Sequence, residues 1–404
     1  MNIHLSQRHP HADGVTPDTA LFQQALDELA EAGGGTLVVD HGRYALGGLR
    51  IGSNTCLWLS PGAKLIVSEN GDDFTQAVAL SQAECSHRAF LYALDAQNVS
   101  ICGGGEIYGS ADGWFSRDVD AMGYRQPVER RPRIILLENC RGVRLENITV
   151  RHAPMWTIHL VSCIGVTING ITVDNDLTMA NTDALDIDSC QQVHIANCYF
   201  SAADDAICLK TTAKPAHIQR PLRQVTIVNC TLRSKSCALK VGTETWQDIE
   251  DVLVSNCTIF DSNRGIGLLS RDGGQLRRMI FSNIAFACVS APACHWGEAD
   301  PVFLSARHRD PAIAPGAITR IQFRGLVGEC EGAINLHSEP AGLIQRILFD
   351  GIQLHQKLNP QAEQGLYDVR PPCNPQSPTG MGMDNAWCLN PHSGRAWGVE
   401  PYPG

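Results

Sequence analysis

Apolar and polar residues alternate through most of this chain, and Gly, Asn, Asp or Pro interrupts the alternation every few residues. One stretch departs from that period of two. Leu21, Phe22, Ala25, Leu26, Leu29 and Ala30 recur at helical spacing, which predicts an amphipathic helix. Thr16 is its expected N-cap, Pro17 its first helical residue, and Gly33, Gly34 and Gly35 its stop. Short strands are expected after it at residues 37–39, 44–46, 49–51, 57–59 and 64–67. A lone helix ahead of many short strands reads as a cap that covers the first sheet edge of an elongated β structure.

From about residue 98 one six-residue unit recurs. It runs Val143 to Ile148, Val166 to Ile171, Val193 to Cys198, Val225 to Cys230, Val252 to Cys257, Met279 to Ile284, Ile321 to Leu326 and Ile347 to Ile352. The units lie 23 to 32 residues apart, except for one interval of 42. A period in the twenties with three short strands per unit predicts a parallel β-helix. Leucine-rich repeats share the period but need a Leu-rich consensus and helical backs, which this chain lacks. The expected fold is therefore all-β: a single-stranded parallel β-helix with an N-terminal capping helix. One domain is expected over 1–404, with the cap and first strands at 1–67, regular coils at about 98–358 and an irregular tail at 359–404.

Stacked coils place equivalent residues in ladders. Cys198, Cys230 and Cys257 share one register, and Cys140, Cys163 and Cys190 share another. Small thiols fit inward ladders, so structure rather than redox chemistry is expected of them. Asn147, Asn197, Asn229, Asn256 and Asn283 are expected to form a turn ladder. Two irregular stretches are expected to be loops: residues 294–301, the expected wall of a cleft, and a second insertion at 111–132 with Trp114, Phe115, Tyr124, Arg130 and Arg131.

Composition narrows the function. A net charge of −10 argues against nucleic acid, whose phosphates need a basic surface. No apolar run reaches 18 residues, so no membrane partner is expected. Met1 to Val15 holds no apolar signal core, and a cytoplasmic location is expected, or a secreted one if a leader has been removed. Sixteen cysteines without a CxxC pair suggest buried thiols, with neither zinc nor another metal nor a cofactor expected.

The candidate chemistry lies at Asn181-Thr182-Asp183 and, 21 residues later, Asp204-Asp205. One coil step would bring Asp183, Asp204 and Asp205 together. Neighbouring carboxylates raise one another's pKa, so one can stay protonated near neutral pH. Glycosidic cleavage needs that division, an acid for the leaving oxygen and a base for water. Asp186 and Asp188 are expected to be surface or turn residues. Trp156, Trp246 and Trp296 are candidates to stack on sugar rings.

These motifs resemble those of the polygalacturonases, glycoside hydrolase family 28. Residues 181–183 and 204–205 look like the family's two acidic motifs. Arg131-Pro132-Arg133 and residues 154–159 are similar to its preceding coil. Residues 13–15, 33–36 and Tyr44, with 103–109 and Trp114, are similar to its N-terminal region. The resemblance implies a right-handed parallel β-helix that needs no metal. It implies Asp204 as general acid, Asp183 and Asp205 as holders of the attacking water, inversion at the anomeric carbon, and Asn181 in support. Two motifs depart. Cys237 replaces a histidine, and Gly267 and Leu269 stand where an Arg and a Lys hold the galacturonate carboxylate. Lys210, Lys240, Arg264 and Arg271 are candidates to supply that charge, and His159 to support the acid or bind sugar. The expected substrate is a pectin-derived oligosaccharide, galacturonan- or rhamnogalacturonan-like, and the expected action is exo. A β-helix lyase or epimerase and a non-catalytic glycan-binding solenoid are the competing readings. The oligomeric state is left open.

Overall fold

The computed structural model describes residues 1–74, 79–81, 83–119, 124–291, 299–310 and 312–357, with the backbone of Leu366–Asp368 and Val399–Pro401. The chain winds as a right-handed parallel β-helix. Its walls are a 22-stranded assembly, which takes two short strands from each regular coil, and a 10-stranded sheet, which takes one. The sequence units stack in register. Val143, Val166, Val193, Val225, Val252, Met279, Ile321 and Ile347 form one continuous parallel column. Each side chain of that column up to Ile321 is buried in the core that fills the coil.

Both structural ladders are present. The cysteines of the two columns expected inside are free thiols, and all six are buried. Asn147, Asn197, Asn229, Asn256 and Asn283 take positive φ values of 53–58°. Their short polar side chains tolerate the left-handed turn and can bond locally. Asn229 donates to Asn197 at 3.3 Å, and Asn283 to Asn256 at 3.4 Å.

The single α-helix among the described residues, α1 (Thr19–Glu31), buries Phe22, Ala25, Leu26 and Leu29 against the first coil. It starts later than expected. Thr16 and Pro17 belong to the strand Asp13–Pro17, and Asp18 is the N-cap without a side-chain cap bond. The Asp18 carboxylate instead accepts the amides of His11 and Ala12 at 2.9 and 3.1 Å. The helix closes the apolar interior, while the sheet edge itself is the strand Asn2–His4, which among the described residues pairs only with Gly35–Val39.

The 10-stranded sheet carries the site. Its relevant strands are β1 (Arg133–Glu138), β2 (Ile158–Val161), β3 (Leu185–Asp188), β4 (Ile207–Thr211), β5 (Cys237–Thr245), β6 (Arg264–Ser270) and β7 (Val302–Ala306). Within the expected insertion at 111–132, Phe115–Val119 pairs antiparallel with Arg125–Pro127. Residues 292–298, with Trp296, and most of the tail lie outside the described residues.

Candidate active site

Leu185 of β3 pairs with Ile207 of β4, and Ile207 with Leu239 of β5. Two residues before these three stand Asp183, Asp205 and Cys237, so they occupy equivalent corners of successive rungs. The corner bonds agree: Ala184 N donates to Asp205 O at 2.9 Å, and Ala206 N to Cys237 O at 3.1 Å. Asp204 shares the Asp205 corner. One oxygen from each of Asp183, Asp204 and Asp205 lies within 4.8 Å of the others.

The three carboxyls differ in their partners. Asp205 accepts from Lys240 Nζ at 2.7 Å and from Ser236 Oγ at 3.1 Å. Asp183 Oδ1 and Asp204 Oδ1 are buried without a hydrogen-bond partner. Burial, and next the charge of Asp205, pushes Asp204 up to about 7. Burial, and next the charges of Asp186 and Asp204, raises Asp183 well above the usual carboxylate range. Asp204 keeps 6% of its surface exposed, against 2% and 1% for Asp183 and Asp205.

Further buried charges pack against these carboxyls. Lys210 Nζ sits 2.8 Å from Asp186 Oδ1, 4.0 Å from Asp183 Oδ2 and 3.7 Å from the centre of the Trp156 ring. Burial opposes its positive charge, but Asp186 and its other acidic neighbours outweigh burial and raise its pKa well above the ordinary lysine value. Burial pushes Asp186 up to about 6 against the pull of Lys210. Glu244 faces Lys210, Arg309 and Lys240, which outweigh its burial and bring it to about 2.

Several expectations need correction. Asp186 and Asp188 are fully buried rather than surface residues. Asp188 is held by Lys214 Nζ at 2.6 Å and Thr212 N at 2.9 Å, with His159 Nε2 at 3.4 Å. His159 cannot bind sugar from there. It is wholly buried, and burial lowers its pKa to about 3. Trp156 is covered by Lys210 and meets His159 edge-on, with ring centres 5.0 Å apart, so its ring offers no sugar platform. Asn181 faces inward, with Oδ1 accepting from Arg131 Nη2 at 3.0 Å. Arg264 is spent on Asp300 at 3.2 Å and the Phe303 ring at 3.8 Å. Arg271 is buried and donates to Ser270 O at 2.9 Å and Ser305 O at 3.0 Å. Lys210 and Lys240 are at the site, but each ammonium already faces a protein carboxylate. Trp246 is the one described tryptophan of the three with an open ring, at 42% exposure.

Sequence reasoning missed Asp186, Ser236 and Glu244. Asp186 had a signal in the Leu-Asp-Ile-Asp alternation of β3, which sends both aspartates to the same outer face as Lys210 of β4. Ser236 and Glu244 had none beyond their nearness to Cys237 and Lys240.

The sequence profile of glycosyl hydrolases family 28 matches residues 72–295. The chain belongs to that family. It is a glycoside hydrolase. It is 25% identical over 361 residues to a probable polygalacturonase of Vitis vinifera, spanning 85% of this chain and 72% of that protein. It is 23% identical to an exo-poly-alpha-D-galacturonosidase of Dickeya chrysanthemi, over 70% of this chain and 54% of that protein. Among solved structures, an exopolygalacturonase of Thermotoga maritima superposes with a TM-score of 0.67 at 20% identity, covering 87% of this chain and 92% of that one. That superposition concerns the fold.

Proposed function

We propose that this family 28 enzyme hydrolyses glycosidic bonds in pectin-derived oligosaccharides with inversion, and that it acts from chain ends. The observation that carries the reading is the unequal state of two adjacent carboxyls. Asp204 is pushed up to about 7 beside Asp205, which accepts from an ammonium at 2.7 Å. One pocket thus offers an acid and an anion near neutral pH, as the reaction requires.

In the proposed step Asp204, the most exposed of the three, gives its proton to the glycosidic oxygen as the bond to the anomeric carbon breaks. A water held between Asp183 and Asp205 attacks that carbon from the other face and yields its proton to one of them. The resemblance of the motifs supports inversion. The names of the Dickeya and Thermotoga relatives support galacturonan and exo action. The packing of carboxylate oxygens within 4.8 Å supports a second reading, because inverting pairs usually stand roughly 6.5–9.5 Å apart and retaining pairs about 5–5.5 Å. In that reading a carboxylate attacks the sugar and a covalent glycosyl-enzyme forms.

Defined plant-wall oligosaccharides followed by proton NMR test both. The expected product is a released terminal sugar whose first-formed anomer is opposite to that of the bond cleaved. Retention at that centre would favour the second reading. Asp204→Asn should lower turnover by roughly 10²–10⁴-fold while oligosaccharide binding persists. Undiminished turnover in that variant would remove Asp204 from the role.

A further inference from the structure

Lys240 has a place that neither the fold nor the reaction class explains. It stands on β5 in the outward column Asp186, Cys208, Lys240, Gly267. Its ammonium reaches back one rung to Asp205 Oδ2 at 2.7 Å, and its side chain is only 9% exposed. A buried ammonium needs a partner to offset its lost hydration. The partner of Lys240 on the next rung is Gly267, where an added Cβ would lie 3.0 Å from Cys237 Sγ and 3.2 Å from Arg264 Cδ, so a side chain there would crowd its neighbours. Cys237, at the corner after Asp205, supplies no proton. Burial pushes its thiol up to about 12, and it is spent on Leu239 O at 3.3 Å.

We infer that Lys240 is a positioning residue for hydrolysis: its ammonium fixes Asp205 as the anion of the carboxyl pair and thereby leaves the pair's one transferable proton on Asp204. The inference rests on the acid role proposed for Asp204. The remaining charged groups around the pair do not make that assignment. Asp183 and Asp186 lie on the preceding coil and repel both members. Lys210 of β4 is 2.8 Å from Asp186. Arg131 is taken up by Pro154 O, Ala180 O and Asn181 Oδ1. Arg264 of β6 pairs with Asp300, and Glu244 of β5 is itself an anion facing Lys210 and Arg309. Among the charged groups of the described residues, only Lys240 makes a hydrogen bond to one member of the pair and not the other; the neutral Ser236 hydroxyl also donates to Asp205.

The test compares Lys240→Met, Lys240→Arg and Cys237→Ala with the parent enzyme, by pH–rate profile and by the infrared band of protonated carboxyls, assigned through Asp204→Asn. Loss of the neighbouring cation makes a carboxyl keep its proton to higher pH. Lys240→Met should therefore lose about tenfold or more in kcat/KM at pH 6, with both limbs of its profile displaced upward and the carboxyl band persisting to higher pH. Lys240→Arg should restore the parent profile, and Cys237→Ala should leave it in place. A Lys240→Met profile superimposable on the parent, or a carboxyl band that titrates unchanged, would overturn the inference whatever happens to the rate. If Lys240→Met does not fold, a displaced profile in Lys240→Arg or Cys237→Ala decides against it. The infrared band needs no substrate, so a failure there is distinct from failure of the hydrolase reading, which would show as an active Asp204→Asn.

Discussion

At the scale of single residues, the site depends on charges placed where water is scarce. Asp188 and Lys214 show how strongly. Both side chains are fully buried, and Lys214 Nζ donates to Asp188 at 2.6 Å, Ser189 Oγ at 2.8 Å and Thr212 O at 2.8 Å. Burial alone would raise Asp188, but Lys214 and His159 together hold it far below the carboxylate range. Asp188→Asn would leave the ammonium without its counter-ion, at a cost of about 3–5 kcal/mol. Thermal denaturation should show a clearly lower Tm, and an unchanged Tm would mean that the pair contributes nothing. These residues also show where sequence reasoning stops. The Leu-Asp-Ile-Asp pattern of β3 puts both aspartates outside the coil, and outside ordinarily means solvent. Here Trp156, His159, Lys210 and Lys214 cover that face, and no pattern in the sequence announces a cover built from the two flanking coils. The same cover explains why His159 and Trp156 looked available for sugar. Trp246 has no cover, and its exposed ring is the platform expected for a sugar face. Trp246→Ala should raise KM by about 3–10-fold with little change in kcat, the scale of one aromatic contact. An unchanged KM would make the ring incidental.

At the scale of elements, the strands were the most legible feature. The column from Val143 to Ile347 reuses one geometry on every coil, so each unit carried its own evidence for the next. The carboxylate corner was legible for the same reason, since equal offsets from Leu185, Ile207 and Leu239 put Asp183, Asp205 and Cys237 in line. The helix start was not, because Thr16-Pro17-Asp18 satisfies the local rules for a cap while Asp18 is drawn away to the amides of His11 and Ala12. Stacking also makes a prediction. Phe281, Phe323 and Phe349 lie face to face on three successive coils, with centres 5.2 and 5.0 Å apart. Phe323→Ala should cost about 3–5 kcal/mol. Coils contact mainly their neighbours, so the loss should be local. Hydrogen exchange should quicken over residues 318–352 while residues 183–245 stay protected. Uniform loss of protection along the coil would show that it unfolds as one unit.

At the scale of the whole molecule, a net charge of −10 meets a proposed substrate that is itself acidic. Like charges slow encounter, and salt relieves them, with a screening length falling from about 30 Å at 0.01 M to about 8 Å at 0.15 M. If the substrate is a galacturonan, kcat/KM should rise over that range. A flat response would favour a neutral oligosaccharide. Among the described residues no helix is long and apolar enough to cross a membrane.

The thiol columns carry one more consequence. Cys198, Cys230 and Cys257 lie on adjacent rungs at matching heights, as do Cys140, Cys163 and Cys190. Neighbouring strands run about 4.8 Å apart, inside the Cα range of 4.4–6.8 Å that a disulfide tolerates. A half-wound chain meeting an oxidant can therefore weld one turn to the next before the side chains between them have packed. Recovery from denaturant with a thiol reagent present should give one species, and recovery in air a mixture of cross-linked, misassembled ones.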